Sequence, residues 1–399
     1  MMADFNRVFP REDTDAEKYA LRKALFGRED VLPMWVADMD LPTPNFIMQA
    51  IKTRLEHPIL GYTHMSEAVY QAIIDWQAFH EYDVTSEEIV FTHNVANGFF
   101  MAVQAFTKPG GTVLAMPPIY PPFLTAPEAN GRKLVTAPLV LKNGRYEIDF
   151  DLLETKIVEN KVQLILFCHP QNPSGRVWTE NELKKLAEIC VTHKVTIVSD
   201  EIHSDMIFAG KHIPLATISD AIRQQTITLS SPGKTFNLGG LQIGYAIIAN
   251  PKLKAAYLKV SQSVSVKELN LFATVALEAA YSEKGRRYVQ ELNQFLQQNI
   301  DKTVDFFQTH FPQVTVMRPE ASYLVWLDFS SLCSDHAALK SWIVNDAKLG
   351  LNDGESFDVK TNKPNAGTCF MRMNLAVPPR VLQQAFSHFK MGLNQLPKL

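Results

Sequence analysis

Short apolar runs alternate along this chain with segments whose apolar positions recur every three or four residues, the periods of buried strands and amphipathic helices. Helical spacing begins at Asn45, a capping residue, and places Phe46, Ile47, Ala50, Ile51 and Leu55 on one face. After the interruption Gly61-Tyr62-Thr63 it resumes with Ala68, Val69, Ala72, Ile73 and Trp76. From there the pattern predicts strands at 89–92, 112–116, 133–137, 162–168, 195–199, 226–229 and 243–248, with helices over 95–106 and 179–192. That alternation predicts βαβ units: an α/β protein with a three-layer α/β/α large domain around a mostly parallel sheet. Beyond about residue 264 the rhythm changes. Helices are expected over 269–281 and 285–311, then strands at 314–317 and 322–328, a helix over 337–346, a strand at 369–374 and a last helix from Pro378. The division that follows is an N-terminal arm (1–45) contributing to the small domain, a large domain (46–285) and a small α+β domain (286–399). The polar loop 353–367 reads as mobile.

Composition narrows the class. Over 399 residues, 46% hydrophobic and 20% charged content is ordinary for a globular protein with a large core. A net charge of −3 gives no electrostatic reason to expect nucleic acid or an anionic membrane surface. No apolar run reaches membrane-spanning length, and the first residues lack the apolar core of a signal peptide. Cys168, Cys190, Cys333 and Cys369 are widely spaced, as free thiols in a reducing compartment would be, so a cytoplasmic protein is expected.

Four loops at predicted carboxyl ends of strands carry candidate chemistry, and that edge is where open α/β sheets bind ligands. One holds Tyr120 among four prolines, a fixed aromatic ring suited to stacking on a flat heterocycle. The next, Pro170-Gln-Asn-Pro-Ser-Gly175, offers the amide of Asn172 to a phenolic oxygen. In the third, Asp200 follows an apolar strand, where an acid calls for a cationic partner such as a protonated ring nitrogen. The fourth, Ser231-Pro-Gly-Lys234, supplies an amine for an aldehyde and a hydroxyl, Ser231, for a phosphate. Each has a plainer reading as a turn, a cap or a solvated lysine. Together the partners they ask for describe pyridoxal 5′-phosphate.

These motifs resemble fold-type I pyridoxal-phosphate enzymes of the class I/II aminotransferase group. Within that group, Pro33-Met-Trp-Val-Ala-Asp-Met-Asp40, Ser199-Asp-Glu-Ile-His203, Lys234-Thr-Phe-Asn237 and Tyr323-Leu-Val-Trp-Leu-Asp328 resemble the cystathionine β-lyase (C–S lyase) branch that includes the maltose-regulon modulator. The resemblance runs essentially end to end. It implies that Lys234, Asp200 and Tyr120 are catalytic, and that His203 stands near the cofactor's phenolic oxygen. It implies that Tyr62 reaches the partner subunit's phosphate in a homodimer with shared sites. It also implies that Arg372, in Phe370-Met-Arg-Met-Asn374, grips the substrate carboxylate, with Asn172, Trp35 and Asp38 around the substrate.

Two departures bear on the reaction. Gln242 stands eight residues past Lys234, where most aminotransferases of the group carry an arginine; the lyase branch lacks that arginine too. His93 and Asn94 replace the usual turn before Val95 and Ala96, whose backbone N–H groups at a helix start suit a phosphate. Phe357-Asp358 also differs from the branch's Phe-Gly. The expected reaction is α,β-elimination from L-cystathionine or related cysteine S-conjugates, giving pyruvate, ammonia and a thiol. An aminotransferase is the alternative, and a regulatory binding protein that keeps the fold is a third reading.

Overall fold

The apolar runs become strands that share one sheet edge. The computed structural model describes residues 3–360 and 364–393. In chain order the strands begin with β1 (Leu32–Pro33), β2 (Ile89–Thr92), β3 (Thr112–Ala115), β4 (Lys133–Thr136), β5 (Val140–Lys142), β6 (Arg145–Glu147) and β7 (Leu164–Cys168). They continue with β8 (Thr196–Asp200), β9 (Thr226–Ser230), β10 (Gly244–Ile247), β11 (Thr315–Met317) and β12 (Leu324–Asp328). The last are β13 (Leu349–Gly350), β14 (Asn352–Asp353) and β15 (Phe370–Asn374). Among the described residues the large sheet runs β2-β10-β9-β8-β7-β3-β4, parallel except for β10, which is antiparallel to both neighbours. The small sheet, β11-β12-β15-β14, is antiparallel throughout.

The central strands are buried on both faces because their side chains alternate between two apolar layers. Leu164, Leu166 and Cys168 of β7 face the helix Val95–Phe106 and Tyr257, whereas Ile165 and Phe167 face Leu153, Leu183 and Leu186. Each side chain fully buried this way contributes about 1.5–3 kcal/mol, so a polar residue in β7 or β8 would disrupt the frame that sets the site. The 28-residue helix Glu283–His310 serves both cores. Tyr288, Leu292 and Leu296 pack under the large sheet, while Ile300, Phe306 and Phe307 pack under the small one. The expected change near residue 285 thus falls at the start of a shared helix, with no linker there. The arm joins through β1, whose Leu32 and Pro33 pair in parallel with Leu349 and Gly350 of β13.

Local expectations needed correction in several places. Pro44, not Asn45, is the residue before the first helical turn, and Asn45 is already helical. A β5–β6 hairpin, absent from the periodicity reading, turns at Asn143-Gly144, both at positive φ as a tight hairpin turn requires. Helices at Pro122–Ala129, Phe150–Asn160 and Pro251–Ser263 are not expected from the sequence either; prolines obscure the first, acidic residues the second and lysines the third. The loop 353–367 is partly ordered: Asp353 pairs with Met371, and Gly354–Phe357 forms a 3₁₀ turn. Residues 361–363 of that loop lie outside the described residues.

Candidate active site

Three parallel strands end at one level. Cys168 closing β7 pairs with Asp200 closing β8, and Asp200 pairs with Leu229 of β9. The loops beyond them carry Asn172 and Lys234. Because β10 runs the other way, Gly244 at its start pairs with Thr92 at the end of β2 and brings the helix Val95–Phe106 to the same edge. A Cβ at Gly244 would lie 2.7 Å from the Asn94 carbonyl carbon, so this approach requires glycine.

Asp200 is buried. Its Oδ1 accepts the Ile202 N–H at 3.1 Å, and no other hydrogen bond reaches the carboxylate among the described residues. Burial pushes its carboxyl up to about 7, against the opposing pull of the Ile202 N–H and Lys234. Lys234 is half-buried, and its Nζ donates to the Ala37 carbonyl at 2.6 Å. Burial and the Arg372 cation push its amine down to about 8, while Asp38 and Asp200 oppose the shift. The same Ala37 oxygen accepts the Tyr323 hydroxyl at 2.9 Å.

Arg372 enters from the small sheet on β15. Its Nη1 donates to Asn172 Oδ1 at 3.0 Å and its Nη2 to the Trp35 carbonyl at 2.9 Å, and its guanidinium lies 5.0 Å over the Phe357 ring. Burial pushes it down to about 10, and Nε has no hydrogen-bond partner among the described residues. His203 is buried beside Tyr323, with ring centroids 6.1 Å apart; burial, then Lys234 and Arg372, push it down to about 3. It is therefore neutral near pH 7, with Nδ1 unpartnered among the described residues. Tyr120 is half-buried within electrostatic reach of Arg372 and Asp200, and burial raises its phenol.

At the other end of the cluster, Asn94 caps the helix through Oδ1, which accepts the Asn97 N–H at 2.7 Å. Helix geometry leaves the Val95 and Ala96 N–H groups without intrahelical acceptors. Gln242 stands here as a neutral neighbour, its Oε1 accepting from Asn94 Nδ2 at 2.6 Å. Ser231 has a second duty. Its hydroxyl donates to the Ile243 carbonyl at 2.6 Å and accepts the Gly233 N–H at 2.8 Å, bracing the loop that precedes Lys234.

The expected residues do not all meet. Trp35 turns its ring away, with Nε1 donating to the Lys18 carbonyl at 3.1 Å; only its main-chain oxygen touches Arg372. The Asp38 carboxylate is held by Arg11 at 2.6 Å, and its carbonyl accepts from Asn374 Nδ2. Tyr62 is fully exposed, and among the described residues no hydrogen bond or ring contact ties it to the cluster.

A flat, anionic, aldehyde-bearing ring with a basic nitrogen fits this set. Asp200 is a buried acid with no cation hydrogen-bonded to it among the described residues, Lys234 is a half-buried amine pushed down to about 8, and the helix start offers N–H groups without intrahelical acceptors. Pyridoxal 5′-phosphate has those features. Comparison with known proteins decides the kinship: residues 29–389 match the family of class I and II aminotransferases. The chain belongs to that family. Its similarity to cystathionine beta-lyase PatB of Bacillus subtilis is 41% identity over 394 residues, 98% of this chain and 100% of that protein. Cystalysin of Treponema denticola, whose structure contains a pyridoxal 5′-phosphate cofactor, superposes with a TM-score of 0.94 at 31% identity, covering 99% of this chain and 100% of that one. The pyridoxal-phosphate-bound C–S lyase of Staphylococcus hominis gives 0.88 at 32% identity, with 98% of both chains covered.

In this class I/II aminotransferase chain, several residues around the cluster escape sequence reasoning. Asn374 Nδ2 donates to the Val36 carbonyl at 2.7 Å, and Asn237 Nδ2 donates to those of Met39 and Leu41, both at 3.0 Å. Two amides thus shape the run 34–41 through its backbone. Asp205 accepts from Thr235 Oγ1 at 2.7 Å, Trp76 Nε1 at 3.0 Å and His80 Nε2 at 2.9 Å, fixing the residue after Lys234. The available signal was an acid in an otherwise apolar stretch, Asp205-Met-Ile-Phe208, which asks for buried donors.

Proposed function

We propose that this chain is a pyridoxal-phosphate-dependent C–S β-lyase that cleaves L-cystathionine or related cysteine S-conjugates to pyruvate, ammonia and a thiol. The observation that carries the reading is that an amine pushed down to about 8 (Lys234), a buried acid with no cation hydrogen-bonded to it among the described residues (Asp200) and a buried guanidinium (Arg372) lie within electrostatic reach at one sheet edge. The similarity to a cystathionine beta-lyase over its whole length, to cystalysin and to a C–S lyase structure supports it.

The cofactor, when bound, supplies an electron-accepting ring that lets an amino acid lose its Cα proton. Lys234 would hold its aldehyde carbon, Asp200 its ring nitrogen, Asn172 and His203 its phenolic side, Tyr120 its face, and Ser231, Val95 and Ala96 its phosphate. Arg372 binds the substrate carboxylate; its two contacts to Asn172 and the Trp35 carbonyl fix the plane of the fork, so the carboxylate meets a preset orientation. Lys234 then takes the Cα proton at Nζ, an amine pushed down to about 8 and so able to be a free base near neutral pH. His203, neutral and buried, adds no charge that would compete with Asp200. Gln242 leaves the phosphate end without the arginine usual in transaminating relatives and favours elimination.

The exposed Tyr62, with Leu55, Ile59 and Leu60 also exposed beside it, supports a homodimer in which Tyr62 reaches the other subunit's site. Free cysteines at all four positions support a cytoplasmic protein, and among the described residues no helix is long and apolar enough to cross a membrane. The division into arm, large and small domains at residues 45 and 285 belongs with these proposals.

The test is direct. Purified protein loaded with pyridoxal phosphate is given L-cystathionine, and pyruvate and free thiol are followed by coupled and colorimetric assays. Stoichiometric pyruvate and thiol are expected, and Lys234→Ala should lose both turnover and the visible cofactor band. Accumulation of the pyridoxamine form from an amino donor, with no pyruvate from any sulfur amino acid, would overturn the lyase reading in favour of a transaminase.

A further inference from the structure

Away from the cleft, two of the four cysteines meet. Cys333 lies in the turn after β12, and Cys369 immediately precedes β15. Their Sγ atoms are 2.9 Å apart as free thiols, and Cys369 Sγ also lies 3.0 Å from the Cys333 carbonyl. A sulfur–sulfur bond is about 2.05 Å long, so the gap to close is under about 1 Å.

The pair is held in place on both sides. The Cys369 N–H donates to His336 Nδ1 at 2.9 Å, and its carbonyl accepts the Phe329 N–H at 2.9 Å. His336 is fixed in turn through Nε2, 2.7 Å from Asp353 Oδ1. Cys369 itself sits at φ +63°, a left-handed backbone uncommon for a residue with a Cβ and maintained here by those contacts. The Cys333 thiol donates to the Asp335 carbonyl at 3.0 Å. Both sulfurs are buried, yet Ser334 and Asp335 beside Cys333 are exposed, so the pair lies just beneath the surface. The other two cysteines show no such pairing. Among the described residues, Cys168 Sγ hydrogen-bonds the Pro170 carbonyl and the Asn172 N–H, both at 3.3 Å, and neither Cys168 nor Cys190 has a sulfur neighbour.

We propose that Cys333 and Cys369 form a redox modification site at which a peroxide converts the two thiols to an intramolecular disulfide. One thiolate attacks a peroxide oxygen, the O–O bond breaks, and a sulfenic acid forms with release of one water. The second sulfur attacks the first, the S–O bond breaks, and a second water leaves. The two thiols lose two electrons and two protons, and hydrogen peroxide gains them to become two waters. Cys333 is the attacking sulfur in this order. The Cys369 thiol donates to Cys333 Sγ at 2.9 Å and is raised by burial, so Cys369 is the resolving group, and its proton leaves with the sulfenic hydroxyl as the second water. The bond ties the turn after β12 to the entry of the strand that carries Arg372.

The experiment uses the full-length, cofactor-loaded protein. It is exposed to hydrogen peroxide, denatured with excess iodoacetamide, digested without reductant and analysed by mass spectrometry. The Cys333 and Cys369 peptides are expected joined, at their summed mass less two hydrogens, and separated again by dithiothreitol. Cys168 and Cys190 should be recovered alkylated, and Cys333→Ser should abolish the joined peptide. Recovery of Cys333 and Cys369 as separate alkylated or sulfinic peptides, with no joined species, overturns the proposal. That result comes from the wild-type protein, so it stands whether or not a variant folds, and it does not depend on which reaction the cleft performs.

Discussion

Replacing Asp200 by Asn should stabilise the cofactor-free protein. The carboxylate is buried, receives a single N–H, and has its carboxyl pushed up to about 7 by burial from an unfolded value of 3.8. At about 1.4 kcal/mol per pKa unit, holding that group charged costs up to about 4 kcal/mol; structural relaxation and water entry bring the expected difference to roughly 1–4 kcal/mol. The sign follows from proton binding. Between 3.8 and about 7 the folded state binds more protons at Asp200 than the unfolded state, so stability falls as pH rises through that window and levels off above it. An amide keeps the Ile202 N–H acceptor and carries no charge, so Asp200→Asn should lack this loss. Guanidinium unfolding of cofactor-stripped wild type and variant, followed by tryptophan fluorescence from pH 4 to pH 8, measures the effect. The variant should be the more stable protein at pH 8, with the two curves converging towards pH 4. Adding pyridoxal phosphate should reverse the order, because the ligand stabilises the form that binds it better. A variant that is less stable than wild type without cofactor at pH 8, or a gap independent of pH, would refute the argument.

Asp205→Ala should cost about 3–5 kcal/mol, because it leaves Trp76, His80 and Thr235 without their buried acceptor. Asp205→Asn should recover most of that loss, and denaturation midpoints separate the two. Burial raises the Asp205 carboxyl, but hydrogen bonds led by His80 outweigh it and hold the group below its usual value; the wild-type advantage is therefore present above about pH 4 and shrinks as pH falls further. Arg372→Lys should lower kcat/KM for an amino-acid substrate by about 10–100-fold, the loss of one charge-assisted hydrogen bond of roughly 1.5–3 kcal/mol; steady-state assays with cystathionine read it directly. Arg11→Ala should destabilise by about 1–3 kcal/mol, since Arg11 bridges Asp38 and Asp40, both at 2.6 Å, leaving the buried Lys18 as the remaining cation on Asp40; thermal unfolding reports it.

The frame was legible because each central strand is a continuous apolar run that ends abruptly in polar residues. Cys168, Asp200 and Leu229 lie side by side in the register for the same reason that their strands could be read: the change from apolar to polar marks the sheet edge. Asn143-Gly144 shows a different limit. The hairpin signal was in the sequence, but its flanking strands are only three residues each and too exposed for a period to show.

Trp35 and Asp38 show why side-chain chemistry alone could not complete the site. Their residue types suggest contact with a substrate, yet the Trp35 ring is turned away, the Asp38 carboxylate sits on Arg11 within electrostatic reach of Lys234, and backbone carbonyls of the run make the hydrogen bonds. The Trp35 carbonyl accepts from Arg372, that of Ala37 from both Lys234 and Tyr323, and those of Val36 and Asp38 from Asn374. Every residue carries a carbonyl, so nothing in the sequence marks which ones point inward. What fixes their direction lies elsewhere: Arg11 and Lys18 hold the acids of the run, Asn237 caps two of its carbonyls, and β1 anchors its entry to β13. An oxygen-lined wall next to Lys234 and Arg372 also has a chemical consequence. Carbonyls accept hydrogen bonds without titrating, so they hold both cations in place while adding no carboxylate that could repel the substrate's own.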